Sequence, residues 1–378
     1  MRVPLGAWAA YFLRLGTFGF GGPIALAAAM RHDLVEERGW VTDEEYKEGL
    51  ALAQLAPGPL AAQLAIYLGW IRAGVLGATL VGLAFVGPSF VMVLLLAWGY
   101  LRYGGLPWMQ AVFYGIGAAV IAIIARGAVT LAGRSVGRDV LLWAILVLNA
   151  FVVAATQREL VWVFALSGLV VPVARGLAPR LGRGTVPLVL PAWWLAGLHG
   201  VADPAVLPTL FIFFGKASLV VFGSGLAVVP FLHGGVVTTY GWLTERQFLD
   251  AVAVSMITPG PVVITVAFIG TLVAGLLGGT VAALGMFVPT WGAVVLLAPG
   301  FRRIMASPVL RAAVDGVTAA AAGALAGAVV VLGRRALVDP ATWLIGIATL
   351  VLLWKVRRIP EPLLIVAAGI VGLVLRSA

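Results

Sequence analysis

The chain has 378 residues, 62% of them hydrophobic and only 11% charged, against about a quarter charged in ordinary soluble domains. That balance excludes a water-soluble globular protein, and the 48 glycines spread among long apolar runs fit membrane helices, which carry more glycine and proline than soluble ones. The absence of cysteine excludes disulfides, thiolate nucleophiles and cysteine-ligated metals. The formal charge of +10 is dispersed between apolar segments; such residues set orientation and touch anionic lipid headgroups, and nothing resembles a nucleic-acid-binding patch.

In chain order, candidate membrane segments fall at residues 5–30, 48–71, 73–102, 106–133, 139–157, 159–174, 204–232, 250–273, 274–299, 308–333, 336–356 and 360–376, most of them near the roughly 20 apolar residues that a spanning helix needs. Arg14 interrupts the first and no clear cleavage pattern follows, so this stretch is expected to be retained, not removed as a signal peptide. The segment 187–201, with Trp193 and Trp194, is a further candidate crossing. The arginine- and glycine-rich stretch 175–185 is the best boundary, giving a first unit at 1–174, a linker at 175–203 and a second unit at 204–378.

The two units repeat one another. Gly39-Trp40-Val41-Thr42-Asp43 aligns with Gly241-Trp242-Leu243-Thr244-Glu245 at an offset of 202. The same offset brings Pro57-Gly58-Pro59 onto Pro259-Gly260-Pro261, Phe20-Gly21 onto Phe222-Gly223 and Arg14 onto Lys216. With small slips, Pro88 pairs with Pro289 and Gly115 with Gly316. The expected fold is therefore an all-α polytopic membrane protein of two homologous repeats. Duplicated membrane halves are characteristic of secondary transporters, in which one half rocks against the other around a midplane site.

The polar and irregular positions carry the chemistry. In Pro57-Gly58-Pro59 two prolines remove backbone donors and a glycine frees the dihedrals, so a continuous helix gives way to two half-helices, the second starting near Pro59. The amides of Leu60, Ala61 and Ala62 then face the membrane interior at a positive helix end, an anion site in outline. A single such break could be a kink, but its recurrence at Pro259-Gly260-Pro261 favours a binding site. Phe20-Gly21-Gly22-Pro23 and its echo Phe222-Gly223-Ser224-Gly225 serve either close helix packing or a second break. Arg14 and Lys216, matched and inside apolar runs, are candidate cations of the site, with snorkelling as the alternative. Gln54, Gln63, Ser255, Thr258 and Thr265 flank the breaks and could donate to an oxyanion. Asp315 is the candidate for a coupling proton. His32, His199 and His233 match no metal-ligand spacing, so no metal and no cofactor are expected.

Together these motifs resemble the chromate ion transporter family in its two-domain, single-chain form. The resemblance rests on Phe20-Gly21-Gly22-Pro23, on Leu52-Ala53-Gln54-Leu55-Ala56-Pro57-Gly58-Pro59 running on to Gln63, and on Gly241-Trp242-Leu243-Thr244-Glu245-Arg246 with Thr258-Pro259-Gly260-Pro261. It implies a transporter, not an enzyme, which exports the tetrahedral dianion chromate across the cell inner or plasma membrane and so gives chromate resistance. Ser224 and Gly225, where the first half has Gly22-Pro23, and Met256, where a polar residue is common, depart from the pattern. A small inorganic oxyanion and membrane lipids are the expected partners; a homodimer is left open. Sulfate or another oxyanion as cargo, an anion channel and an intramembrane lipid-phosphate enzyme are the rivals, the last lacking an acid, base or metal constellation.

Counting every segment as one crossing places Arg2, Arg72, Arg134, Arg138, Arg175, Arg180 and Arg183 opposite Arg31, Arg38, Lys47, Arg102 and Arg158. In the second unit Arg246, Arg302, Arg303, Lys355, Arg357 and Arg358 oppose Arg334 and Arg335. Both units keep their richer side cytoplasmic only if they are inverted, with 187–201 crossing the bilayer.

Overall fold

A computed structural model describes residues 3–20, 22–103, 106–156, 161–177, 206–221, 225–301, 307–356 and 359–377. The expected linker crossing at 187–201, and Gly21, Gly223 and Ser224, lie outside them. Every regular element among the described residues is helical. The first half runs α1 (Leu5–Phe18), α2 (Gly22–Arg31), a π-helical turn His32–Glu37, α3 (Asp43–Leu55), α4 (Leu60–Tyr103), α5 (Pro107–Ser135), α6 (Val140–Thr156) and α7 (Val161–Ala174). The second half matches it with α8 (Val206–Val220), α9 (Val228–His233), a π-helical turn Gly234–Thr239, α10 (Glu245–Ile257), α11 (Thr265–Leu297), α12 (Pro308–Ala336), α13 (Pro340–Lys355) and α14 (Glu361–Ser377).

The repeated Gly-Trp-x-Thr motif has a local cause. Gly39 and Gly241 adopt φ of 58° and 60°, a region open to glycine at little cost. The following tryptophan amides donate back to the Leu34 and Val236 carbonyls, each at 2.8 Å. Thr42 and Thr244 then cap α3 and α10 through capping boxes closed by Glu45 and Gln247.

Helix length decides which segments cross. With 14 residues, α1 is about 21 Å long, too short for a hydrocarbon core of about 30 Å. The chain instead turns back after it: the Trp8 and Tyr11 rings lie 5.6 and 6.4 Å from that of Trp40, and the Tyr11 hydroxyl donates to Asp33 at 3.0 Å. A second reversal at Pro57-Gly58-Pro59 brings Gly49 of α3 against Leu64 and Tyr67 of α4. A third, at Ala73-Gly74 where φ is −150° and 56°, packs Gly69 on Gly77 and Gly82 on Ile66. Thus α4 is a short arm, 60–72, followed by a spanning arm, 75–103, of about 43 Å.

The second half repeats all three reversals. Phe213 stacks on Phe231 with centroids 5.3 Å apart, Thr265 donates to the Ser255 hydroxyl at 2.6 Å, and a break at Ala274-Gly275 packs Gly270 on Gly278. Segments 5–30 and 48–71 are therefore re-entrant, which corrects the expectation of one crossing each. The cause is local: glycine and proline cannot propagate the helix at the breaks, and small residues such as Gly49 let the two arms close on each other.

These reversals gather Val3, Trp40 and Arg72 at one end of the bundle, end A, where Arg72 donates to the Val3 carbonyl at 2.8 Å. The spanning arm of α4 leads to Tyr103 at the other, end B, and α5 returns to Ser135. Cross-half contacts then fix the second unit upside down. Tyr100 donates to Asp250 at 2.7 Å, Arg246 to the Gln110 carbonyl at 3.0 Å, and Tyr114 to Asp339 at 2.6 Å, all at end B. Trp291 donates to Thr79 at 3.2 Å, and Arg175 to Asp315 at 2.8 Å, at end A. The repeats are thus inverted, and Leu177 and Val206 fall at opposite ends.

The halves also share their packing. The spanning arms of α4 and α11 meet at the centre, α5 lies between α13 and α14, and α12 lies against α6 and α7. Gly115 of α5 faces the Ala368 carbonyl of α14, while Gly316 and Gly323 of α12 face the Ser167 and Leu146 carbonyls. Small residues let helix backbones approach without the help of a hydrophobic drive between them.

Candidate functional site: a polar cavity between the inverted halves

Each Pro-Gly-Pro break docks into the other half by the same bond. The Gly58 amide donates to the Val221 carbonyl at 2.7 Å, and the Gly260 amide to the Gly19 carbonyl at 2.9 Å. Gly58 and Gly260 have φ of 135° and 96°, so glycine is required where the turn is tightest. A β-carbon on Gly58 would stand 2.8 Å from Gln63 Nε2 and 3.0 Å from Thr290 Cγ2; on Gly260 it would strike the Ser89 side chain. The breaks are therefore built joints between the halves, not isolated kinks.

Helix α3 ends at Leu55 and α4 restarts at Leu60, while α10 ends at Ile257 and a 3-10 turn, Val262–Ile264, opens the next helix. The first amides of each restarted helix have no intrahelical acceptor. Leu60 and Val262 line a cavity of about 610 Å³ lying between the halves. The cavity runs from these breaks toward end A, where Ser135 at the end of α5, Asp315 in the second turn of α12 and Glu361 at the start of α14 also line it. Toward end B the halves are closed on each other by the Tyr100–Asp250, Arg246–Gln110 and Tyr114–Asp339 bonds.

Of the sequence-predicted site residues, Gly22, Pro23, Gln54, Thr258, Gly260 and Asp315 line the cavity. Pro57, Gly58, Pro59, Pro259 and Pro261 shape the breaks from behind, presenting Leu60 and Val262. Gln63 is fully buried, and its amide nitrogen donates to the Ala56 and Pro57 carbonyls at 3.1 and 2.7 Å; it braces the turn from inside the fold. Arg14 is exposed on α1 and Lys216 half-buried on α8, and neither is among the lining residues. The described cavity therefore does not bring the two matched cations together.

Among the described residues, the cation that lines the cavity is Arg126, on α5, with Thr130 one turn on. Its guanidinium lies 3.7 Å from Glu361 of α14. The hydroxyls of Thr130, Thr258 and Thr318 all donate to carbonyls in their own helices, at 2.7 to 2.8 Å. Among the described residues, the donors left for a bound anion include the Arg126 guanidinium, the Gln54 amide, the Ser135 hydroxyl and the helix-start amides. Asp315, the coupling candidate, accepts from Arg175 at 2.8 Å, and Arg175 also bonds Asp139 at 2.8 Å. A carboxylate held that way has its charge already answered. A basic residue inside an apolar run was the signal for Arg126; having Gly327 at the repeat-equivalent place, it escapes a search based on matched pairs.

Inverted repeats with paired broken helices at a central polar cavity define a polytopic membrane protein built like a secondary transporter. The chain belongs to the chromate transporter family, whose sequence model matches residues 7–171 and 208–373. It is 55% identical to a chromate transport protein of Cupriavidus metallidurans over 96% of this chain and 91% of that one. It is 53% identical to a probable chromate transport protein of Synechococcus elongatus, covering 97% and 94% of the two chains. A chromate transport protein of Pseudomonas aeruginosa is 30% identical over 96% and 90%. No solved structure matches the chain.

Proposed function

We propose that this protein exports chromate across the cytoplasmic membrane by alternating access of its two inverted halves, with the anion held at Arg126 between the Pro-Gly-Pro joints, and that it thereby confers chromate resistance. The observation that carries the reading is the cavity of about 610 Å³ between the halves, lined by both helix restarts and by Arg126. It reaches one end of the bundle, while bonds between the halves close the other. The substrate comes from the relatives, which are named chromate transport proteins.

Orientation follows from charge. Arg31, Arg38, Lys47, Arg72, Arg138, Arg175, Arg311 and Lys355 lie toward end A, against Arg102, Arg246, Arg334, Arg335 and Arg376 toward end B. The positive-inside rule makes end A cytoplasmic, so the cavity faces the cell interior. Outward movement of an anion from a negative interior is favoured by about 2.3 kcal/mol per charge per 100 mV, and potential supplies a drive for export.

The test is efflux of labelled chromate from vesicles holding the purified protein, with sulfate as competitor. Losing a charge-assisted bond costs about 1.5–3 kcal/mol, so Arg126→Gln should weaken chromate binding roughly 10- to 150-fold. Arg126→Lys should keep more activity, and Arg14→Gln and Lys216→Gln should bind like wild type. Equal transport by wild type and Arg126→Gln would overturn the site; unsaturable flux that follows voltage alone would replace the carrier by a channel.

A further inference from the structure

The cavity holds its own competing anion. Arg126 and Glu361 lie 3.7 Å apart, each with a third of its side chain exposed, and both line the space in which the substrate is placed. The pair joins the two halves, Arg126 on α5 and Glu361 on α14. The other acid of the cavity, Asp315, is paired with Arg175, which it shares with Asp139, each at 2.8 Å. With both acids paired, a divalent anion that takes Arg126 must free Glu361 and then share a confined cavity with a bare carboxylate. Like charges a few ångströms apart in such a site disfavour joint ionisation.

We infer that Glu361 is the coupling residue: the oxyanion displaces it from Arg126, and Glu361 takes up one proton as the anion binds. This rests on the Arg126 site proposed above. The proton comes from water at end A and sits on the released carboxylate, with no covalent bond to the anion formed or broken. The loaded cavity then carries one net negative charge more than the empty one, not two. A monovalent oxyanion, which answers Arg126 alone, needs the same displacement but creates less repulsion, so proton uptake favours dianions selectively.

The charged groups around Glu361 are few. Arg126 faces it from α5 and Asp315 lies across the cavity on α12. From α10, also packed on α14, the charged side chains are Glu245, which is bound to His233, Arg246, which is bound to the Gln110 carbonyl, and Asp250, which is bound to Tyr100, all toward end B. Lys355 at the end of α13 is exposed. Among the described residues, Glu361 is thus the cavity acid whose only ion-pair partner is the cation that the substrate needs.

The experiment measures chromate and sulfate binding to the full-length purified protein by calorimetry, in buffers of different ionisation enthalpy and across pH. Wild type should take up about one proton per dianion, and its affinity should fall about tenfold per pH unit where Glu361 is ionised in the free protein. Glu361→Gln should bind with no proton uptake and a flat pH profile, and Asp315→Asn should keep the wild-type proton count. Arg126→Gln should bind roughly 10- to 150-fold more weakly at every pH. Dianion binding to wild type with no proton uptake would overturn the inference, whether or not Glu361→Gln folds, and so would an unchanged proton count in a folded Glu361→Gln. Full binding by Arg126→Gln would instead remove the site on which the inference stands.

Discussion

The joints between the halves make the sharpest test of the structure. At Gly260, alanine meets two penalties: a φ of 96°, which costs a residue with a β-carbon about 1–3 kcal/mol, and a collision with the Ser89 side chain, of the kind that costs about 1–3 kcal/mol in a packed interior. At Gly58 the backbone penalty is present, with φ of 135°, but the nearest atom, Gln63 Nε2, stands farther off, at 2.8 Å. Gly260→Ala should therefore destabilise by about 2–6 kcal/mol and Gly58→Ala by less. Removing the hydroxyl with Ser89→Ala should recover part of the loss at Gly260 and none at Gly58. The assay is the fraction of protein surviving heating as a monodisperse species in detergent, run beside chromate efflux in vesicles. If Gly260→Ala matches wild type in both, or is milder than Gly58→Ala, the docking geometry described here is wrong.

Two further outcomes follow. Because the chain has no cysteine, single cysteines can be introduced without background; positions 38 and 138 should label from one face of the membrane and 334 from the other, and labelling of 38 from the same face as 334 would restore a crossing for residues 5–30. The second concerns pH at end A: a hydrogen bond donated by the His32 ring to Glu36, at 3.1 Å, and the nearby Glu37 raise the pKa of His32 above its ordinary value. This contact contributes stability fully below about pH 6.5 and loses it as pH rises through the elevated folded value. The His32 titration followed by NMR should thus have a raised midpoint that drops in Glu36→Gln, and a midpoint indifferent to that change would refute the pairing.

The sequence by itself determined a great deal. Composition dictates the bilayer as solvent, the 202-residue offset reveals the duplication, and the two Pro-Gly-Pro motifs locate helix breaks in corresponding places. Those features are local, since they depend on which residues can continue a helix. Gly39 and Thr42 likewise specify their own turn and cap, and recur at Gly241 and Thr244.

Only the tertiary structure decided what the breaks are for. A break reads the same whether the chain continues across the membrane or turns back, and the closeness of Gly49 to Tyr67 and of Trp8 to Trp40 settles the matter. That reversal moves Arg31, Arg38 and Lys47 to the end where Arg72 lies, which counting by segments cannot detect. Arg14 and Lys216, matched in sequence, are not among the residues that line the cavity. Arg126 and Glu361 are 235 residues apart, and Arg126 lacks a charged repeat partner. They meet because inversion lays α14 of one half along α5 of the other, a contact set by Gly115 against Ala368 and so by close helix packing, which no local pattern encodes.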